Sequence, residues 1–163
     1  NGYLFAYVGG ISIIMQGVVF GVAARRFGES RLAVFGCLVL AASLLMMPYS
    51  SPEAGGLAGL LAISAFLSFG NAFATPALNS LASKNAAAHQ QGRAMGVMQS
   101  GASLARALGP TIGGVLLNNS LNKVARFSVI RTYWAAAAIM FVAFLAALWF
   151  ARTVRARVSD DAA

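Results

Sequence analysis

Few residues of this 163-residue chain are equipped for acid–base, nucleophilic or metal chemistry, and those few are poorly placed for it. The acids are Glu29, Glu53, Asp160 and Asp161, and there is one histidine, His89, and one cysteine, Cys37. The acids all fall between or beyond the apolar stretches. No paired carboxylates, nucleophile–base pair or metal-ligand cluster occurs within those stretches, so no catalytic residue, metal site or cofactor is expected. His89 reads as a solvated loop residue and Cys37 as a small packing residue in an apolar run. A different set stands out. Gln16, Asn71 and Arg106 each lie near the middle of a long apolar segment, where a polar side chain is expensive. Their chemistry is recognition through amide and guanidinium hydrogen bonds, not bond making.

These residues belong to patterns. Ser64, Ser68, Asn71, Thr75 and Asn79 recur at steps of three and four, as do Gly92, Gly96, Gln99, Ser103, Arg106 and Pro110. Gly9, Ser12 and Gln16 share a face in the same way. A helix in a bilayer with one polar stripe must turn it toward protein or a water-filled path. Asn71 and Gln16 fit either use, since interhelical hydrogen bonds are common and average roughly 0.6 kcal/mol. The serines fit hydrogen bonds to their own helix. Arg106 is more demanding. A cation at mid-helix costs at least roughly 2.5 kcal/mol, and it lies about 20 Å along the helix from Gly92. It requires a carbonyl, a substrate or an acid outside this segment.

The elements that carry these residues follow from composition. The chain is 59% apolar and only 10% charged, against about 25% charged in soluble domains. A net charge of +8 would suit a nucleic-acid binder, but the basic residues sit between apolar spans and form no aromatic-interleaved patch; no nucleic-acid partner is expected. Five transmembrane helices are predicted, over Tyr3–Ala24, Leu32–Tyr49, Gly56–Ala82, Gly92–Leu117 and Thr132–Ala151. They form one bundle over residues 1–151, followed by a frayed tail over 152–163. Pro48 and Pro52 end the second span. Gly109-Pro110 followed by Gly113-Gly114 marks a kink in the fourth, either structural or a gate hinge. Gly17 and Gly21 form a small-xxx-small pair.

Polarity divides the spans. The first, third and fourth carry interior polar residues and are expected to surround a hydrated cavity containing Gln16, Asn71, Gln99, Ser103 and Arg106. The second and fifth are almost purely apolar and are expected to face lipid. Eight basic residues fall on the side of the first and third loops and the C-terminus, and three on the other; Arg106 is the twelfth. The richer side is expected to be cytoplasmic. The chain opens at Asn1 inside an apolar segment and is read as the C-terminal part of a longer protein.

Three stretches carry a resemblance. Gly21-Val-Ala-Ala-Arg25-Arg26-Phe27-Gly28-Glu29-Ser30-Arg31 is similar to the short basic cytoplasmic turn, GxxxDRxGRR, of the major facilitator superfamily. Thr75-Pro76-Ala77-Leu78-Asn79-Ser80-Leu81 resembles the cytoplasmic end of that family's tenth helix. Gln91-Gly92-Arg93-Ala94-Met95-Gly96, with Gln99-Ser100 and Gly109-Pro110-x-x-Gly113-Gly114, resembles its eleventh. The chain as a whole resembles helices eight to twelve of bacterial drug:proton antiporters of the tetracycline-efflux kind. The resemblance implies an all-α membrane protein in a bacterial inner membrane, a small-molecule substrate, a partner half upstream, and export by alternating access. It also implies that Gly21, Arg26 and Gly28 form the cytoplasmic turn. Arg25 departs from the pattern, standing where the family has an acid. The spans hold no carboxylate, so a proton-coupling acid would lie upstream of Asn1. A metabolite or sugar carrier is the alternative within transport, and a non-transporting receptor or assembly subunit the alternative outside it.

Overall fold

A computed structural model describes residues 2–50, 56–117 and 126–160. Among them there is no strand, and nearly all are helical. This is what a bilayer demands, because a helix satisfies every backbone donor and acceptor within its own segment. The elements in order are α1 (Gly2–Ile14), a π-helical turn (Met15–Val19), α2 (Phe20–Phe27), α3 (Glu29–Met46), α4 (Gly56–Asn85), α5 (Gln91–Leu117) and α6 (Arg126–Asp160). Short 3₁₀ turns follow α3 at Met47–Tyr49 and precede α5 at Ala88–Gln90. Four helical stretches, Ala6–Phe27, Glu29–Tyr49, Gly56–Asn85 and Arg126–Thr153, are long and apolar enough to cross a membrane. The 27-residue α5 has the length but carries the glycine, glutamine and arginine stripe that lowers its apolarity.

Two boundaries differ from those the sequence suggests. The last helix begins at Arg126, ahead of Thr132, and runs to Asp160, so most of the expected tail is helical. Neither Gly nor Pro occurs between 126 and 160, and Arg and Ala sustain a helix past the end of the apolar run. Residues 51–55 and 118–125, where the sequence suggests loops, lie outside the described residues. Both internal prolines are absorbed: α4 continues through Pro76 and α5 through Pro110.

The packing centre is α3. It lies between α4 and α6, while α1 packs on α4 and α5 borders both α4 and α6. This corrects the expectation that the second span faces lipid. Leu32, Ala33, Gly36, Cys37, Leu40, Ala41 and Ser43 of α3 are buried, whereas Phe35, Leu38, Leu45 and Met46 are exposed. Hydropathy cannot separate these faces, because lipid tails are as apolar as leucine; the small residues Ala33, Gly36, Cys37, Ala41 and Ser43 gather on the buried face beside Leu32 and Leu40. The expectation fits α6 better, whose Phe141, Val142, Leu145 and Trp149 are exposed.

Glycine sets the α3–α4 distance. A Cβ added at Gly36 would lie 2.5 Å from the Ala74 backbone nitrogen, and one at Gly70 would lie 3.1 Å from the Gly36 carbonyl. Beside this seam, Phe20 of α2, Phe35 of α3, and Phe69 and Phe73 of α4 form an aromatic cluster. Its tightest pair, Phe69–Phe73, has centroids 4.7 Å apart, and Phe35 meets Phe73 edge-on at 6.3 Å. Such pairs add about 0.5–1.5 kcal/mol beyond area burial.

Candidate functional site

The polar residues of the apolar helices sort into two groups. In the first, hydroxyls are satisfied by their own helix. Ser12 donates to the Val8 carbonyl at 2.9 Å, Ser43 to that of Val39 at 2.8 Å and Ser68 to that of Ser64 at 2.8 Å. Ser64 and Ser68 are buried. The upper part of the α4 stripe is therefore packing.

The second group is on the surface of the bundle. On α4, the face covered by α3 holds Gly70, Phe73, Ala74 and Ala77, all buried, while Asn71, Thr75 and Asn79 are exposed on the side it leaves open. Thr75 Oγ1 donates to Asn71 Oδ1 at 2.9 Å, which orients the Asn71 amide and leaves its NH₂ outward. On α5, Gln99, Ser103 and Arg106 are all exposed. Pro110, four residues beyond Arg106, has no amide hydrogen, so the Arg106 carbonyl loses its usual helical donor. Donor and acceptor capacity thus gather at one level of α5. Gly109, Pro110, Gly113 and Gly114 follow in the same continuous helix, and nothing lies within 4 Å of a Cβ added at any of the three glycines.

Gln16 is also exposed, and its backbone is unusual. The Phe20 amide donates to the Met15 carbonyl, closing a wide turn over Met15–Val19. Such π-turns recur at functional sites because they re-aim the residues they contain. Sequence periodicity holds no sign of it. Helix α4 is the neighbour shared by the helix of Gln16 and the helix of Arg106, so Asn71 stands on the element between them.

The turn between α2 and α3 is built on one residue. Gly28 has φ 82° and ψ 149°, a region essentially reserved for glycine. Its amide donates to the Ala24 carbonyl at 3.0 Å and its carbonyl accepts from Leu32 at 3.3 Å, closing one helix and opening the next. Arg25 Nε donates back to the Gly21 carbonyl at 3.2 Å, and Arg26 lies 5.8 Å from the Phe27 ring centroid. The cross-helix contact is made by Glu29. Its Oε1 accepts from Ser80 Oγ at 2.7 Å and from Lys84 Nζ at 2.8 Å, both on α4. Glu29 stands ahead of the apolar run that begins at Leu32. Burial pushes its carboxyl up, but the hydrogen bonds from Lys84 and Ser80 and the Lys84 charge outweigh burial and hold it below the ordinary value. Sequence reasoning misses Glu29, because its partners lie 51 and 55 residues away and no local pattern joins them. At the opposite membrane end, Arg131 of α6 donates to the Leu116 carbonyl in the last turn of α5, where a cation suits the helix dipole.

Long apolar helices, glycine-seated packing and polar side chains left open on their surfaces define a polytopic α-helical membrane protein. The family model of the Major Facilitator Superfamily matches residues 1–163. The chain therefore belongs to that superfamily of membrane transporters for small molecules. No curated protein and no solved structure matches it at a significant level.

Proposed function

We propose that this chain forms helices eight to twelve of an exporter of small, amphipathic, drug-like compounds that works by alternating access. The observation that carries this reading is Arg106. Together with Gln99 and Ser103, spaced four and three residues apart, it lies in the middle of a helix that must cross the bilayer, in a stretch from 99 to 112 that the rest of the bundle leaves uncovered on all sides. Gln16 and the Asn71–Thr75 pair supply neutral donors and acceptors on adjoining helices. The five helices then form the C-terminal part of a two-half carrier whose other half closes the cavity from the opposite side. Gly109, Pro110, Gly113 and Gly114 form the hinge. A carboxylate in the other half couples the cycle to protons. The basic loops and the C-terminus lie in the cytoplasm, the membrane being a bacterial inner membrane.

A second reading has a specific observation in its favour. A guanidinium facing the cavity pairs with an anion, so a carrier of anionic metabolites is the alternative. Transport of a labelled cationic dye and of a labelled carboxylate by the intact protein in proteoliposomes distinguishes the two. Arg106→Ala should lower transport of the true substrate about tenfold to hundredfold while insertion is unchanged. Cysteine placed at Asn71 or Arg106 should react with a hydrophilic thiol reagent. Unchanged transport by Arg106→Ala, or protection of both cysteines, would return these residues to packing.

A further inference from the structure

Away from that surface, a cleft of about 770 Å³ opens between the α2–α3 turn and α6. Its rim is basic, with the exposed Arg26, Arg31 and Arg152 on three different helices. Its floor is apolar, with Phe35, Leu38 and Leu148. The two characters are ordered along the membrane normal. Arg26 and Arg31 stand at helix ends and Arg152 within α6 just past Ala151, each just outside an apolar run, and the floor descends from them. Arg31 to Leu38 is about 10 Å along α3, and Leu148 lies one turn inside Arg152 on α6. Glu29, the acid at the rim, does not cancel the arginines, because its carboxylate is already engaged by Lys84 and Ser80. Phe35 and Leu38 are exposed.

We propose that this cleft is a binding site for an anionic phospholipid of the adjoining leaflet. The phosphate-bearing headgroup is held by Arg26, Arg31 and Arg152, and one acyl chain lies along Phe35, Leu38 and Leu148. The pattern fits lipid because headgroup and chain need a charged rim and an apolar floor in that order at a membrane surface. A free anion would leave the floor unfilled, and an apolar helix would leave three guanidiniums unpaired. The site depends on membrane embedding alone, and stands or falls separately from the identity of the transported solute.

The test uses the intact protein in nanodiscs of phosphatidylcholine containing graded phosphatidylglycerol. Native mass spectrometry reads retained lipid, and phosphatidylglycerol with a photoreactive acyl chain is cross-linked and mapped to peptides. Phosphatidylglycerol should be retained on the order of 100-fold better than phosphatidylcholine, at about 1 kcal/mol for each of the three arginines, with cross-links on the peptides holding Leu38 and Leu148. The double variant Arg31→Gln/Arg152→Gln should lose about 30-fold of that preference, at about 1 kcal/mol per basic residue. Equal retention of the two lipids, cross-links confined to other helices, or displacement of the lipid by millimolar inorganic phosphate would each overturn the proposal. Should the double variant fail to insert, the wild-type cross-link map still decides.

Discussion

The α3–α4 seam and the open face of α5 are both rich in glycine, and they use it in opposite ways. At the seam, a methyl group on Gly36 would collide with the backbone of Ala74 at 2.5 Å, and one on Gly70 with Leu40 and the Gly36 carbonyl. On α5, a methyl group on Gly92, Gly96, Gly101, Gly109, Gly113 or Gly114 would meet nothing within 4 Å. In the first region glycine brings two helices together. In the second it leaves one face of the helix smooth and untouched by this bundle. Polarity follows the same division: the seam residues are apolar or have hydroxyls bonded to their own helix, and the open face holds Gln99, Ser103 and Arg106. In a bilayer, where apolar surface alone does not drive helices together, close backbone approach supplies the packing. Costly polar groups are then concentrated where packing is absent.

The harshest way to break this comparison is to fill the seam. Gly36→Ala should cost about 3 kcal/mol, the upper range for overpacking, because the obstacle is backbone and cannot swing aside. Gly36→Leu should prevent assembly, read as loss of a monodisperse peak in detergent. Gly109→Leu is the matched control. It should leave thermal stability in detergent within about 0.5 kcal/mol of wild type, since the added side chain enters open space here. Any loss of transport by Gly109→Leu then reports contact with another part of the working transporter. Equal destabilisation by both substitutions would erase the contrast between seam and face.

Arg106→Ala sharpens the comparison from the other side. It should lower transport about tenfold to hundredfold, the range for hydrogen bonds to a charged group, without lowering stability. A variant that gains stability and keeps full transport would make Arg106 a burden with no function. Arg106→Lys should recover only part of the activity, because an ammonium does not reproduce the guanidinium's planar fork.

Much of the architecture is legible in the sequence. Five apolar stretches separated by Gly28, Pro48–Pro52 and polar loops place the helices, since length, apolarity and breakers are local properties. Partnering is less legible. The second span reads as lipid-facing because its apolar run is nearly unbroken, yet Ala33, Gly36, Cys37 and Ala41 mark a protein-facing side by their small size, a signal orthogonal to hydropathy. Gly17 and Gly21 carry the recognisable small-residue spacing, but a methyl group added to either would meet nothing within 4 Å; Gly36 and Gly70 form the contact. The π-turn at Met15–Val19 leaves no mark in residue type. On the candidate site, the stripe of α4 is one pattern in sequence and two environments in space, because α3 and its neighbours bury Ser64 and Ser68 while Asn71, Thr75 and Asn79 stay open.

The smallest effect belongs to the link that fastens the turn to α4. In the resemblance to the superfamily's turn Arg25 stands at the acid's place, and the cross-helix acid is Glu29, four residues on, reaching Ser80 and Lys84. Lys84 is mostly exposed, so screening limits the pair to about 1 kcal/mol or less. The carboxyl of Glu29 is held below its ordinary value, so its contribution is fully present above the unfolded value of 4.5 and is lost as pH falls through the lowered folded value. Glu29→Gln should therefore melt slightly earlier than wild type at neutral pH. The two melting curves should converge on acidification below that range, and Ser80→Ala should reproduce part of the difference. A gap that persisted unchanged in acid would mean that Glu29 acts through shape and not through charge, and the turn would then be fastened to α4 by apolar packing, in which Phe20 meets Phe73 at 6.4 Å and Leu32 and Ala33 share a buried cluster with Phe73 and Ala77.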